Sequence, residues 1–405
     1  MRINNRFRKF IMPGFVAATM TFLSHGFHPV EHNPVVRPES QNSDENDNPS
    51  TADFEFIEAL RNRIYCNAEL SKCPGMAMAV ILNGKVVSLE TYGEATPGKA
   101  VTENTVFRIA SVSKGFAGLL AAKLVDQGII DLNRPVMDYI PEFKIRLRQG
   151  RDSIRVWHLL SHTTGFTSHA YSDLIAQGKD IDRLMTALTK TDVRDFPGKS
   201  YAYQNAAFSL IEKVIEKTTG VSYAKMLDSL IFKPLQMQTA STSLESIVSA
   251  KHKAQGHKLL SKKGFQPIAW QAQYYNTISA GGVNASLKDM VIWLNAVMGY
   301  YPEVLSDNVR ELAFTPRANT SGVKKYFNNW ENSIASYYGL GWRIVDFPER
   351  RIIFHGGNVN GFRTEIAFDP EKQIGVVFLF NSTCSYSNQA VPNFFSFFDD
   401  YYSAT

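Results

Sequence analysis

Excess charge of one sign, cysteine and unbroken apolar runs are all scarce in this chain of 405 residues. Each scarcity removes a class of protein. Lys and Arg number 43 against 38 Asp and Glu, a formal net charge of only +5. No Lys/Arg block interrupts that balance, so a nucleic-acid partner is not expected. No apolar run reaches the roughly 18–20 residues that a membrane-spanning helix needs. Three cysteines cannot build a disulfide scaffold, and no Cys/His cluster has zinc spacing. Neither a metal nor another cofactor is therefore expected. There is no Gly-x-Ser-x-Gly elbow and no His-Glu-x-x-His, which disfavours an α/β-hydrolase and a zinc protease.

The N-terminus has its own logic. Arg2, Arg6, Arg8 and Lys9 form a basic head without an acid, and a largely apolar run of 14 follows over residues 10–23. Small residues then offer a cleavage site near Gly26, which reads as an export signal over residues 1–26. The expected location is periplasmic after cleavage; the alternative is an uncleaved inner-membrane anchor. Residues 27–52 are polar, with five acids and one arginine, and read as a disordered linker. Cys66 and Cys73 lie seven apart, between a first helix and a first strand. In an oxidising compartment they are expected to pair, leaving Cys384 reduced.

Residues 53–402 read as one domain. Residues 53–65 form an N-capped amphipathic helix, and residues 76–82 and 85–92, joined by Asn83-Gly84, form a hairpin with a type I′ turn. From 111 to 274 the text is mostly helical. A helix is expected to end at Gly165, another runs over residues 206–219 to Gly220, and Ser286 is a candidate N-cap. Strands return over residues 340–347, 351–354, 362–368 and 374–380, and residues 388–402 close the chain as a helix rich in Phe and Tyr. The predicted class is α+β, an α/β sandwich. Its antiparallel sheet is drawn from regions 53–110 and 275–402, flanked by helices, with the helical region 111–274 inserted between.

One stretch organises the chemistry. Residues 105–109 lead as a strand into Ser111-Val112-Ser113-Lys114, and an Ala/Leu-rich helix follows to Gly128. A lysine three residues after a serine lies on the same helix face and, with its pKa lowered by burial, can help to remove the hydroxyl proton. The motif alone is weak, because Ser222 and Ser321 also begin a Ser-x-x-Lys. Ser222 reads better as a helix cap and Ser321 as a loop residue. Tyr203-Gln204-Asn205 is the candidate proton relay, set between Pro197-Gly198 and a helix, although Tyr-x-Asn has four other copies. His355-Gly356-Gly357 is unique here, and its paired glycines would let backbone approach a substrate at a strand end. His162, His169, His252 and His257 are expected to be structural or exposed.

The order Ser-x-x-Lys, Tyr-x-Asn, His-x-Gly resembles serine hydrolases of the class C β-lactamase, D-alanyl-D-alanine peptidase and esterase group. Flanking stretches are also similar: residues 159–166, Ala280-Gly281-Gly282-Val283, and residues 361–381. The resemblance covers roughly residues 55–402. It implies a β-lactamase/transpeptidase-like fold and an acyl-serine route. Ser111 would be the nucleophile, Lys114 the residue that tunes the proton network, and Tyr203 the base for attack and the acid for the leaving group. Asn205 would orient the substrate amide, and the N–H groups of Ser111 and Asn358 would form the oxyanion hole. His355 stands where class C enzymes carry lysine, and Asn381 matches a position near the substrate carboxylate. Ser306-Asp307-Asn308 spells a class A motif, but it lies 195 residues after Ser111 and no Lys-Thr-Gly follows, so it reads as a decoy. The resemblance implies a class C-like β-lactamase. Its alternatives are a D-alanyl-D-alanine peptidase or esterase, and a penicillin-binding sensor that acylates without turnover. The expected partner is a small-molecule β-lactam, D-Ala peptide or ester, bound by a monomer.

Overall fold

The structure is a computed structural model that describes residues 51–145, 154–323 and 330–404. The expected export signal and nearly all of the expected linker lie outside the described residues.

In chain order the elements are α1 (Thr51–Leu70), β1 (Gly75–Leu82), β2 (Lys85–Thr96), β3 (Lys99–Ala100) and β4 (Val106–Arg108). A 3₁₀ turn (Ala110–Val112) then enters α2 (Ser113–Asp126). The middle comprises α3 (Val136–Tyr139), α4 (Val156–Leu160), α5 (Ser172–Ala176), α6 (Ile181–Thr189), α7 (Asn205–Thr219), α8 (Tyr223–Leu227) and α9 (Leu244–Ser249). It continues with the hairpin β5 (His257–Leu260) and β6 (Gly264–Pro267), then α10 (Ile278–Gly281) and β7 (Asn284–Ser286). The last third holds α11 (Leu287–Met298), α12 (Asp307–Phe314), β8 (Ala318–Asn319), β9 (Ala335–Tyr338) and β10 (Arg343–Asp346). It ends with β11 (Arg351–Val359), β12 (Phe362–Asp369), β13 (Ile374–Phe380) and α13 (Ala390–Ala404).

One antiparallel sheet of nine strands, ordered β3-β2-β1-β13-β12-β11-β10-β9-β8, joins the two ends of the chain. Its neighbouring strands β1 and β13 are apolar throughout because both faces are covered. Successive strand residues point to opposite faces. In β1, Ala77, Ala79 and Ile81 therefore meet the core built on α2, α7 and α11, while Met76, Met78 and Val80 meet the opposite core. That second core is closed by Phe56, Leu60, Ile64 and Ala68, a stripe four residues apart along α1, and by Phe394, Phe395 and Phe398 of α13. The α+β sandwich read from the sequence is the observed architecture. The expected type I′ turn forms as well, with Asn83 at φ 49° and Gly84 at φ 76°.

Four readings of local structure are corrected. First, the helix expected to end at Gly165 stops at Leu160, because His162 turns into the left-handed region at φ 58°. Second, His355 lies inside β11, which runs on to Val359 instead of ending near Phe354. Third, α1 starts at Thr51, within the expected linker. Fourth, Cys73 pairs with Cys384, and Cys66 is a free thiol on the exposed face of α1. The last has a topological cause. β1 and β13 are antiparallel neighbours with Met76 opposite Phe380. Residues just before β1 and just after β13 must therefore meet, and the Cα atoms of Cys73 and Cys384 are 5.5 Å apart.

This bridge closes a loop of 311 residues. In protein folded under oxidising conditions, non-reducing peptide mapping should join the peptides of Cys73 and Cys384. Cys384→Ser should lower unfolding free energy by about 2–5 kcal/mol, and Cys66→Ser should change it by less than about 0.5 kcal/mol. A Cys66–Cys73 linked peptide would refute the pairing.

Candidate active site

The turn that carries Ser111 is built by compression. β4 pairs with β7 and delivers the chain to Ala110, whose φ of 51° is strained for a residue with a Cβ. The Ser113 hydroxyl locks the turn. It donates to the Ala110 carbonyl at 2.6 Å and accepts from the Val283 N–H at 3.0 Å. Ala110 and Val112 are buried, while Ser111 between them is partly exposed. On the other side β11 presses in. A Cβ at Gly357 would stand 2.5 Å from the Ile109 carbonyl oxygen and 2.7 Å from the Ser111 nitrogen, so only glycine fits. A Cβ at Gly356 would meet the Glu365 carboxylate at 2.7 Å, so that side chain would have to move.

Lys114 is completely buried at the start of α2. Its Nζ donates to Asn205 Oδ1 and to the Ala280 carbonyl, each at 2.7 Å, and stands 3.4 Å from Ser111 Oγ. The rings of Tyr203 and Phe208 lie 4.9 and 5.3 Å from it. Burial lowers its pKa well below that of a free lysine, and the nearby charge of Arg343 lowers it further. An amine that donates two N–H bonds to neutral oxygens keeps its lone pair for the serine.

Tyr203 sits on the extended segment before α7. Its carbonyl accepts from the His169 N–H at 2.8 Å and from the Ser168 hydroxyl at 3.1 Å. Burial pushes the phenol pKa up. The charge of Arg343 and a hydrogen bond with Ser111 oppose that rise. Asn205, the first residue of α7, gives Oδ1 to Lys114, and its Nδ2 donates to the Tyr274 hydroxyl at 3.1 Å.

His355 is fully buried, and its environment is not that of a cation. Nδ1 donates to the Gly356 carbonyl at 2.9 Å, so Nε2 accepts from the Tyr338 hydroxyl, also at 2.9 Å. Burial, then the charges of Arg343 and Lys114, hold its pKa well below the usual histidine range. Asn358 follows at the exposed end of β11, next to the Gly357–Ser111 contact. Asn381 departs from expectation. It is buried at the end of β13, and its Nδ2 donates to the Glu94 carbonyl at 2.8 Å. Its own carbonyl accepts from the His257 N–H at 2.8 Å. Asn381 therefore ties β2 to the start of β5, and its amide is not presented to a substrate.

The structure thus brings Ser111, Lys114, Tyr203, Asn205, His355 and the two glycines together. It leaves the look-alike motifs elsewhere. Ser222 Oγ caps α8 by accepting from the Lys225 N–H, and Ser306 caps α12 by accepting from the Val309 N–H. Ser321 bonds the Ser336 backbone, and its lysine lies outside the described residues.

Two residues of the site were not anticipated. His162 is fully buried with its ring centroid 4.3 Å from that of Tyr203, and its Nδ1 accepts from the Gln204 N–H at 3.1 Å. It props the tyrosine in place. Arg343, at the start of β10, is buried with its guanidinium carbon 5.9 Å from the Tyr203 ring centre. Its signal in the sequence is an arginine opening a short apolar strand, a place where charge is rarely buried without purpose. Among the described residues no group of three or more His, Cys, Asp or Glu could hold a metal ion.

Comparison with known proteins agrees with this geometry. "Protein flp" of Staphylococcus aureus (strain COL) is 26% identical over 326 residues, covering 79% of this chain and 62% of that protein. A "Beta-lactamase" of Escherichia coli (strain K12) is 26% identical over 355 residues, covering 80% of this chain and 87% of that one. The solved octameric penicillin-binding protein homologue from Pyrococcus abyssi superposes with a TM-score of 0.72 at 25% identity, covering 84% of this chain and 77% of that one. Residues 66–392 match the family described as Beta-lactamase. With Ser111, Lys114 and Tyr203 gathered under β11 of that fold, the chain belongs to the beta-lactamase family.

Proposed function

We propose that this protein is a serine hydrolase that forms and hydrolyses an acyl-Ser111 intermediate. The observation that carries the reading is the buried Lys114 amine, aimed at Ser111 Oγ from 3.4 Å while both its N–H bonds go to neutral oxygens. The sequence suggested Tyr203 as base. The lowered Lys114 and raised Tyr203 pKa values favour a different division of labour. The neutral lysine takes the Ser111 proton as Oγ attacks the acyl carbonyl. The oxyanion forms against the N–H groups of Ser111 and Asn358. The proton then passes through the neutral Tyr203 phenol to the leaving nitrogen or oxygen. Arg343 stabilises negative charge that develops on the phenol oxygen. Water repeats the cycle in reverse to free Ser111.

The substrate follows from the third motif. A class C-like β-lactamase reading draws support from the similarity to the Escherichia coli protein. A neutral His355, however, gives a substrate carboxylate no ion partner at that position. The geometry therefore favours an esterase or D-alanyl-D-alanine peptidase activity on substrates that need no such anchor. Steady-state turnover of a short-chain nitrophenyl ester should exceed that of a chromogenic cephalosporin in kcat/KM; the reverse ratio would restore the β-lactamase reading.

Further outcomes test the machinery. Ser111→Ala should abolish labelling by a fluorophosphonate in folded protein, while Ser222→Ala and Ser321→Ala should label normally. A labelled peptide carrying Ser222 or Ser321 would overturn the assignment. Tyr203→Phe should slow acylation by about two to four orders of magnitude.

The pH dependence has a definite sign. Lys114 acts when unprotonated, so acylation should rise with pH through its depressed pKa and then level off. His355 stays neutral, so affinity for anionic acyl substrates should be flat between about pH 6 and 8. A loss of affinity across that window, absent in His355→Gln, would show that His355 works as a cation.

A further inference from the structure

α7 carries a second polar side chain into the same dry interior. Asn205 opens the helix and accepts from Lys114. Two turns later Glu212 is also buried, and its Oε1 accepts both the Ser279 N–H at 2.7 Å and the Ser279 hydroxyl at 2.6 Å. Ser279 immediately precedes Ala280, whose carbonyl is the other acceptor of the Lys114 amine. One carboxylate therefore ties α7 to α10, and these helices supply the two oxygens between which the lysine is held.

Packing alone would place an apolar residue here. A carboxylate away from water is costly, and among the described residues no lysine or arginine forms an ion pair with Glu212. Burial lifts its pKa to about 7, against the two Ser279 bonds, with the charge of Glu216 adding to the rise. Such a group comes at a cost, and among the described residues its side-chain bonds point at Ser279, the residue before Ala280.

We infer that Glu212 is a positioning residue for acylation, which fixes the Ala280 carbonyl through Ser279 and so aims the Lys114 amine at Ser111. This inference rests on the acyl-serine reading above. Glu212 touches neither substrate nor Ser111. Its effect runs through α10, and what matters is an acceptor oxygen at that place.

Pre-steady-state acylation by a nitrophenyl ester separates the rate constant from the apparent binding constant. Glu212→Leu should lower the acylation rate constant by about 10- to 100-fold through misplacement of the base, with apparent binding changed by less than about twofold. Glu212→Gln, which keeps an acceptor oxygen, should restore the rate to within about threefold of the parent. Folded Glu212→Leu that acylates at the parent rate would overturn the inference, as would Glu212→Gln as slow as Glu212→Leu. Should Glu212→Leu not fold, Ser279→Ala decides. A loss of several-fold there supports the inference, and an unchanged rate overturns it. The parent protein is measured alongside. Failure of its Ser111 to acylate at all would remove the acyl-serine reading itself, whereas normal parent acylation with unaffected variants would remove only the role of Glu212.

Discussion

A lysine buried with neutral oxygens for partners is the constraint on which this site depends. Leaving an ammonium in such a place is expensive, so burial drives the pKa of the amine well below that of a free lysine. That solution requires two acceptors, fixed at hydrogen-bond distance, that bring no charge. Asn205 and Ala280 provide them from positions 91 and 166 residues away in the chain. α2, α7 and α10 must therefore converge on one atom. The dense apolar core around α2 keeps them there, since almost every residue of that helix is buried. Chemistry and packing share a cause. The same dryness that lets the helices interlock favours the uncharged form of the lysine.

Ser111 is held by a second kind of pressure. Ala110 adopts a backbone conformation that costs on the order of 1–3 kcal/mol and persists only where its surroundings impose it. Here the surroundings are a strand with no side chain at Gly357, a serine lock at Ser113, and α2, whose Gly118 admits the Leu340 carbonyl so closely that a Cβ would stand 1.8 Å from it. β11 belongs to the nine-stranded sheet, so the turn rests against that sheet. An outward slip of β11 would open the contact between Gly357 and the Ser111 amide and loosen the hole in which an oxyanion would form.

Much of this was legible in the sequence, and the reason differs by residue. Ser111 and Lys114 share one helical face, so spacing alone placed them together. The hairpin at Asn83-Gly84 and the cap at Ser286 are local signals, and both appear in the structure. Tyr203 and His355 could be ordered along the chain through resemblance to a family, but not given a protonation state. That depends on burial and on Arg343, which comes from another strand. The cysteine pairing was missed because it follows from the antiparallel contact of β1 with β13, a long-range fact. Sequence alone reads His162 as structural or exposed. It is structural, but what it supports is the ring of Tyr203.

The charge pattern of the finished site bears most on its substrate. Four groups able to carry positive charge converge there: Lys114, His162, Arg343 and His355. Desolvation, with the charge of Arg343 adding to it, lowers the pKa of the lysine and of both histidines. Burial pulls on Arg343 too, but Tyr201, Tyr203, Tyr338 and Glu365 outweigh it and raise its pKa, so it keeps its charge. Among these groups Arg343 is the fixed cation, set behind Tyr203, rather than a cation at the strand that a substrate would meet. Such an arrangement favours charge developing during the reaction over charge already present on the ligand. Binding energy realised only as bonds change raises the rate rather than the affinity. For a substrate without a carboxylate nothing is lost by this placement. For a β-lactam the anchor would have to come from elsewhere, since the strand presents a neutral imidazole already committed to Tyr338 and Gly356.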